Sequence, residues 1–357
     1  MSEFLPLLEQ IWETRVLTNN GPFHQQLEAR LQDVFDSEHV SLATNGMLAL
    51  TSAIDASGLS GEVITTPYSF VATSHALALA GLTPVFVDIR PSDLNIDPAA
   101  IEAAITERTS AIVAVHVYGN PCAVAEIEAI AERHGLRVIY DAAHAFGVRY
   151  QGRSLLSHGD FAALSFHATK AFNTFEGGAI VSRHAEGKRA VDSARNFGIA
   201  DEVNIPVVGT NAKMSELNAA FGLVQLNHFE DVRRRRGAVD RLYRELLGHI
   251  RGIDLIDIPA EVEPNYSYFP ILVRDTFPVS RDALYDALKA QGIYSRRYFY
   301  PLLSSLPMYR DHPSAAPGRM PVAEQAAQQV LCLPIYPDLS KTDQWRIAEA
   351  VLAQAHV

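Results

Sequence analysis

The sequence predicts an α/β fold: a largely parallel sheet covered on both faces, followed by a smaller α+β unit. Three observations predict it. From about residue 38 to 182, short β-branched runs alternate with segments of helical period, the pattern of βαβ units. Beyond residue 247 the pattern changes, and "YSYFPILV", "SRDALYDALKAQGI" and "TDQWRIAEAVLAQA" read as a compact mixture of strand and helix. At 357 residues the chain is also too long for one simple core.

In order, the strand candidates of the first unit are "VSLAT", "EVITTP", "TPVFVDI", "AIVAVHVYG" and "RVIYDAAH". Between them "NGMLALTSAIDAS", "FVATSHALALAG", "DPAAIEAAITE" and "PCAVAEIEAIAERHG" place apolar residues near helical period. "FAALSF" and "GGAIVS" follow with only a short connection and read as antiparallel neighbours. Residues 215 to 247 form one long helical stretch that tolerates Gly222 and Gly237 and bridges the two units. The division is expected at 1–238 and 239–357. There is no internal repeat and no low-complexity tract.

Composition narrows the function. Apolar residues at 48% and charged residues at 20% describe an ordinary globular protein. A formal charge of −11 argues against a nucleic-acid partner, since phosphate binding needs clustered cations. Cys122 and Cys332 make no disulfide framework, and no Cys/His cluster has metal spacing, so no metal is expected. "MSEFLPLLEQIWETR" lacks a basic, then apolar, leader, and no apolar run approaches about 18 residues. The expectation is a cytoplasmic protein with no membrane span.

In open α/β sheets ligands gather at the carboxyl ends of the strands. Asn45, Gly46, Asp141, His144 and Ser165 all fall at such ends, which makes one shared pocket the expectation. Asp141 follows the apolar run "LRVIY" and either caps the next helix or faces a cation, because a buried carboxylate without a partner is costly. Lys170, in "SFHATKAFNTFEGGAIV", is either a solvated cation or an amine whose lowered pKa suits Schiff-base chemistry. A lysine paired with an aspartate partner for a ring nitrogen is the signature of pyridoxal phosphate. "ATNGML" is either an ordinary turn or a phosphate cradle at a helix N-terminus. Phe70 either packs in the core or covers one face of the ring. The run Arg233 to Arg236 reads as a solvated helix face.

With these residues in place, the chain resembles the DegT/DnrJ/StrS family of pyridoxal-phosphate-dependent sugar aminotransferases, of fold type I. "LTNNGP", "TNGMLAL", "PYSFVAT", "PVFVDI", "VHVYGNPC", "YDAAHAFG", "SFHATKAFNTFEGGAIV", "GTNAKMSELNAAFGLVQL" and "LPIYPDL" carry the likeness along nearly the whole length. The resemblance implies an aspartate-aminotransferase-like large domain with a mainly parallel seven-stranded sheet. It also implies residue roles. Lys170 binds the cofactor and moves the proton, Asp141 pairs with the ring nitrogen, and His144 lies near the 3-oxygen. Ser165 and the backbone of Asn45, Gly46 and Met47 take the phosphate, Phe70 stacks on the ring, and Asn211 reaches the phosphate from the partner of a homodimer. Asn20, Arg296 and Tyr298 fall in substrate-side segments, as does Arg297.

Two positions depart from the pattern. Met47 stands where relatives commonly have threonine, and Leu303 where they often have histidine. The wording most resembles members that aminate C4 of dTDP-4-keto-6-deoxy-glucose with glutamate as donor, for a surface polysaccharide such as O-antigen in lipopolysaccharide. C3 aminases and GDP-perosamine synthases share much of it. Sugar dehydratases of the family carry histidine in place of the lysine, and a non-catalytic sensor on the same fold is the remaining alternative.

Overall fold

The computed structural model describes residues 1–356. The strands that the alternation predicts appear in order as β1 (Val40–Ala43), β2 (Glu62–Thr65), β3 (Thr83–Phe86), β4 (Thr109–Val115) and β5 (Arg137–Asp141). A short hairpin of β6 (Arg149–Tyr150) and β7 (Arg153–Ser154) precedes β8 (Phe161–Ser165) and β9 (Gly178–Ser182). Seven strands make the central sheet, in the order β1-β9-β8-β5-β4-β2-β3. From β3 to β8 all are parallel, while β9 runs antiparallel to both β8 and β1. The two runs read as antiparallel neighbours are therefore β8 and β9. The loop joining them carries Lys170.

Helices α1 (Leu5–Thr14) and α2 (Pro22–Phe35) lead into the sheet. One face is covered by α2, α5 (Pro98–Ala104) and α6 (Val124–His134), around Phe35, Phe146, Phe166 and Phe172. The other is covered by α3 (Gly46–Ala56), α4 (Val71–Leu79) and α7 (Ala185–Ala194), around Leu50, Ile54, Leu77 and Val191. Covering both faces explains why every residue of β1, β2 and β9 is buried.

Helix α8 (Glu216–Leu247) begins at the N-cap Ser215 and runs 32 residues, about 48 Å at 1.5 Å per residue. Its first residue, Glu216, is buried and accepts the Phe23 and His24 amides at 2.8 Å each, satisfying the free N-terminus of α2. Its second half enters another core, where Val239, Tyr243 and Leu247 pack with Ile271, Leu284 and Ile347. There β10 (Ile253–Leu255), β12 (Phe269–Val273) and β13 (Val330–Leu333) form a three-stranded antiparallel sheet. It is packed by α9 (Arg281–Ala290), α10 (Pro321–Gln329) and α11 (Lys341–Ala353), while β11 (Val262–Glu263) pairs back onto β6.

The two helix glycines are close-approach sites rather than merely tolerated. A Cβ on Gly222 would come within 2.7 Å of Leu27, and one on Gly237 within 2.8 Å of the Tyr266 ring. The arginine run needs a correction. Arg233, Arg234 and Arg235 pair with acidic neighbours on the surface, but Arg236 is buried and donates to the carbonyls of Tyr266, Ser267 and Ile335. The helical turn points the fourth arginine inward, where carbonyls replace water. Among the described residues no helix is long and apolar enough to cross a membrane.

Candidate active site

The expected residues leave the sheet at one edge. Strand β5 ends at Asp141, β8 ends at Ser165, and β1 passes through Thr44 into Asn45. Asp141 is only 8% exposed. Thr73, one turn into α4, donates its hydroxyl to Oδ2 at 2.7 Å, and the Ala143 amide donates to Oδ1 at 3.1 Å. Burial outweighs these donors and the nearby Lys170 charge, and raises the carboxyl above its ordinary range. Asp141 therefore makes the local turn that the sequence left open and still calls for a positive partner.

Lys170 is half-buried in the β8–β9 loop, where its amide donates to the His167 carbonyl at 2.9 Å. Burial lowers its pKa while Asp141 raises it, and the balance falls at about 8, well below 10.5. Nζ donates to the Tyr268 hydroxyl at 3.4 Å. His144 is buried beside them, and its Nδ1 accepts the Tyr118 amide at 3.2 Å, which leaves the proton on Nε2. Burial, and then the Lys170 charge, push its pKa down, so the ring is neutral.

The anion cradle lies where β1 becomes α3. Asn45 caps that helix by accepting the Leu48 amide at 2.8 Å, leaving the first-turn amides of Gly46 and Met47 without intrahelical acceptors. A Cβ on Gly46 would meet Ser165 Cβ at 2.6 Å and Oγ at 2.9 Å, so glycine is what lets the helix start sit against Ser165. Phe70 occupies the N-cap of α4, one turn before Thr73, with its ring 56% exposed instead of packed in the core. The expected Asn45–Met47, Ser165, Asp141, His144 and Lys170 thus share one edge.

The outer residues stand apart from this group. Asn20 is exposed between α1 and α2, with a positive φ of 61 and its carbonyl accepting from Gln25. Asn211 is exposed, and its Oδ1 accepts from Lys213 at 2.8 Å, while the next carbonyl, Ala212, takes the Thr44 amide beside the cradle. Arg296 is exposed and pairs by its backbone with Cys332. Arg297 is held by Asp282 at 2.9 Å. Tyr298 packs edge-on against Tyr268, and its carbonyl accepts the Tyr118 hydroxyl. Leu303 is buried, with its amide bonded to the Pro67 carbonyl, so this departure from the family pattern fills core space. Thr73 and Tyr268 were missed by sequence reasoning. The spacing Phe70 to Thr73 on one helix face was the signal for Thr73, whereas nothing local pointed to Tyr268, 98 residues from Lys170.

The residues present fit pyridoxal 5'-phosphate. A buried carboxylate short of positive partners suits its ring nitrogen, an amine of lowered pKa suits its aldehyde, and a helix start closed by a hydroxyl suits its phosphate. Fold and site together thus define a pyridoxal-phosphate-dependent enzyme of the aminotransferase type. Among the described residues no cluster of three or more His, Cys, Asp or Glu is placed to hold a metal.

The chain belongs to the DegT/DnrJ/EryC1/StrS aminotransferase family, which it matches over residues 1–352. It is 50% identical over 355 residues to a dTDP-4-amino-4,6-dideoxy-D-glucose transaminase of Escherichia coli, covering 99% of this chain and 96% of that one. A protein of the same name from Shigella dysenteriae is 52% identical over 340 residues, covering 95% of this chain and 92% of that one. The crystal structure of DesI in the presence of its TDP-sugar product superposes with a TM-score of 0.95 at 38% identity, covering 99% of this chain and 90% of that one. The chain is accordingly a pyridoxal-phosphate-dependent aminotransferase.

Proposed function

We propose that this enzyme moves an amino group from L-glutamate to the C4 keto group of dTDP-4-keto-6-deoxy-D-glucose, giving dTDP-4-amino-4,6-dideoxy-D-glucose. The product serves a surface polysaccharide, and the enzyme works in the cytoplasm as a homodimer. The observation that carries the chemistry is Lys170, an amine with a pKa of about 8 set beside Asp141 at the sheet edge. Identity of 50% to a named C4 transaminase along the whole chain supports the sugar.

When bound, pyridoxal phosphate supplies an electron sink that acidifies the carbon bearing the amine. The chain's own residues do the rest. Lys170 would hold the cofactor through its aldehyde and, as a free amine, Nζ would move the proton between the donor's α-carbon and the cofactor carbon. Asp141, kept in place by Thr73 and Ala143, would face the ring nitrogen and keep it protonated. Neutral His144 would be free to donate from Nε2 to the cofactor's 3-oxygen, and exposed Phe70 would cover its ring. Ser165 and the Gly46 and Met47 amides would anchor the phosphate, and Asn211 of a second copy would complete that cradle. Asn20, Arg296 and Tyr298 line the sugar-nucleotide side.

The reading is tested by incubating the purified protein with glutamate and a panel of dTDP-, UDP- and GDP-linked keto-sugars, with mass and NMR analysis of products. Amination at C4 of the dTDP substrate, lost in Lys170→Ala, is the expected result. Equal turnover of a GDP substrate, or amination at C3, would overturn the proposed substrate.

A further inference from the structure

The residue that meets Lys170 comes from the far end of the chain. Tyr268 directly precedes β12, yet its hydroxyl lies 3.4 Å from Lys170 Nζ and its ring stands edge-on to His144, with centroids 4.7 Å apart. The segment that delivers it is fixed from two sides. Toward the Asp141 loop, buried Asn265 donates from Nδ2 to the carbonyls of His144 (2.8 Å) and Phe146 (2.9 Å), and Ser267 Oγ donates to His144 O at 3.2 Å. Asn265 Oδ1 in turn accepts the Ser267 amide at 3.0 Å. Toward α8, buried Arg236 donates to the Tyr266 and Ser267 carbonyls, and the Tyr266 ring seats on Gly237.

So many hydrogen bonds on three consecutive residues exceed what a strand entry needs. They also leave the Tyr268 ring little freedom of its own, since Tyr118 and Tyr298 pack against it at 5.8 Å each. Burial raises the Tyr268 hydroxyl far above its ordinary range, so it stays a neutral phenol. Such a group accepts one N–H of the lysine without competing for the proton the lysine carries.

We propose that Tyr268 is a positioning residue for Lys170: its hydroxyl, set by the Asn265–Ser267 clamp, orients the amine toward the reacting carbon. The inference rests on the reading of Lys170 as the proton-moving amine. The phenol neither gains nor loses a proton in the cycle. It holds one Nζ hydrogen while the lone pair of Nζ carries a proton between the substrate carbon and the cofactor carbon.

The groups facing this pair are Asp141 and His144 at Lys170, and Tyr118, Tyr298, Cys332, Arg236 and Arg296 around Tyr268. None of them is altered by Tyr268→Phe, which keeps the ring and its packing. The test compares full-length wild type and Tyr268→Phe in two ways. In the cofactor-free chain, acylation of Lys170 across pH, followed by peptide mass spectrometry, reads the amine's midpoint. In the loaded enzyme, steady-state kinetics read kcat and KM.

Loss of an acceptor for Nζ–H disfavours the ammonium form. The midpoint should therefore fall by about half a unit to one unit, the equivalent of one modest hydrogen bond. The kcat should fall about tenfold with KM for the sugar held within about twofold. Lys170→Arg, which keeps a cation but cannot serve as the base, should be inactive with or without the Tyr268 hydroxyl. An unchanged midpoint together with unchanged kcat in Tyr268→Phe would overturn the proposal while leaving the transaminase reading intact. Absence of turnover in cofactor-loaded wild type would instead sink that reading.

Discussion

Two opposed pKa shifts at one sheet edge underlie the proposed chemistry at the level of single residues. Burial pushes Asp141 up toward neutrality and Lys170 down toward the free amine, and each partly offsets the other. A bound ring nitrogen bringing its own proton would restore the charge on Asp141, so the pair suits this cofactor better than an ordinary ion pair. Asp141→Asn keeps the Ala143 contact but removes the charge; kcat is expected to drop about a hundredfold with the cofactor still bound, measured by turnover and by absorbance. Retention of wild-type kcat would show that the carboxylate is only a turn-former. Much of the arrangement was legible in the sequence: apolar strand runs end at Asp141 and Ser165, and His144 and Lys170 follow within five residues. Thr73 and Tyr268 were not, because their partners lie 68 and 98 residues away, and hydrophobic periodicity carries no information on such pairs.

Among the elements, α2, β1 and α7 are locked by a cluster of charges that the sequence did not reveal. Lys188 bonds Glu28 at 2.9 Å, Asp192 at 3.0 Å and the Val40 carbonyl at 2.7 Å, while Arg195 reaches Asp192 and the Leu42 carbonyl. Burial would raise Glu28, but the hydrogen bond with His24 and the charges of Lys188 and Arg195 hold it down to about 2. A folded-state pKa below the ordinary 4.5 means stability that is complete above pH 4.5 and lost as pH falls toward 2. Glu28→Gln should accordingly melt several degrees lower than wild type at about pH 6, with the gap narrowing as the pH falls toward about 2. A gap independent of pH would contradict the pairing. The long helix α8 was readable from its period, whereas the purpose of Gly222 and Gly237 was not, since close approach by Leu27 and Tyr266 is a tertiary fact. The same helix shows why Arg236 escaped the reading of its run as a solvated face: burial depends on which turn faces the second core.

For the whole molecule, the topology places strand ends from five parallel strands along one edge, and the antiparallel β9 returns the chain so that the Lys170 loop lies across it. The order of βαβ units and the antiparallel β8–β9 pair were legible because period and connection length are local. The β6–β11 pairing, which ties the C-terminal half back to residues 149 and 150, was not. The proposed second copy is tested by complementation. Lys170→Ala and Asn211→Ala, each strongly impaired alone, should regain part of the activity when mixed under subunit exchange, because a mixed dimer has one intact site. No recovery would argue that Asn211 serves its own chain. The most direct test of the central claim is reduction of the cofactor-loaded enzyme with borohydride and peptide mapping by mass spectrometry. The account predicts the phosphopyridoxyl group on the peptide containing Lys170. Its appearance on Lys188 or Lys213, or on no lysine, would contradict it.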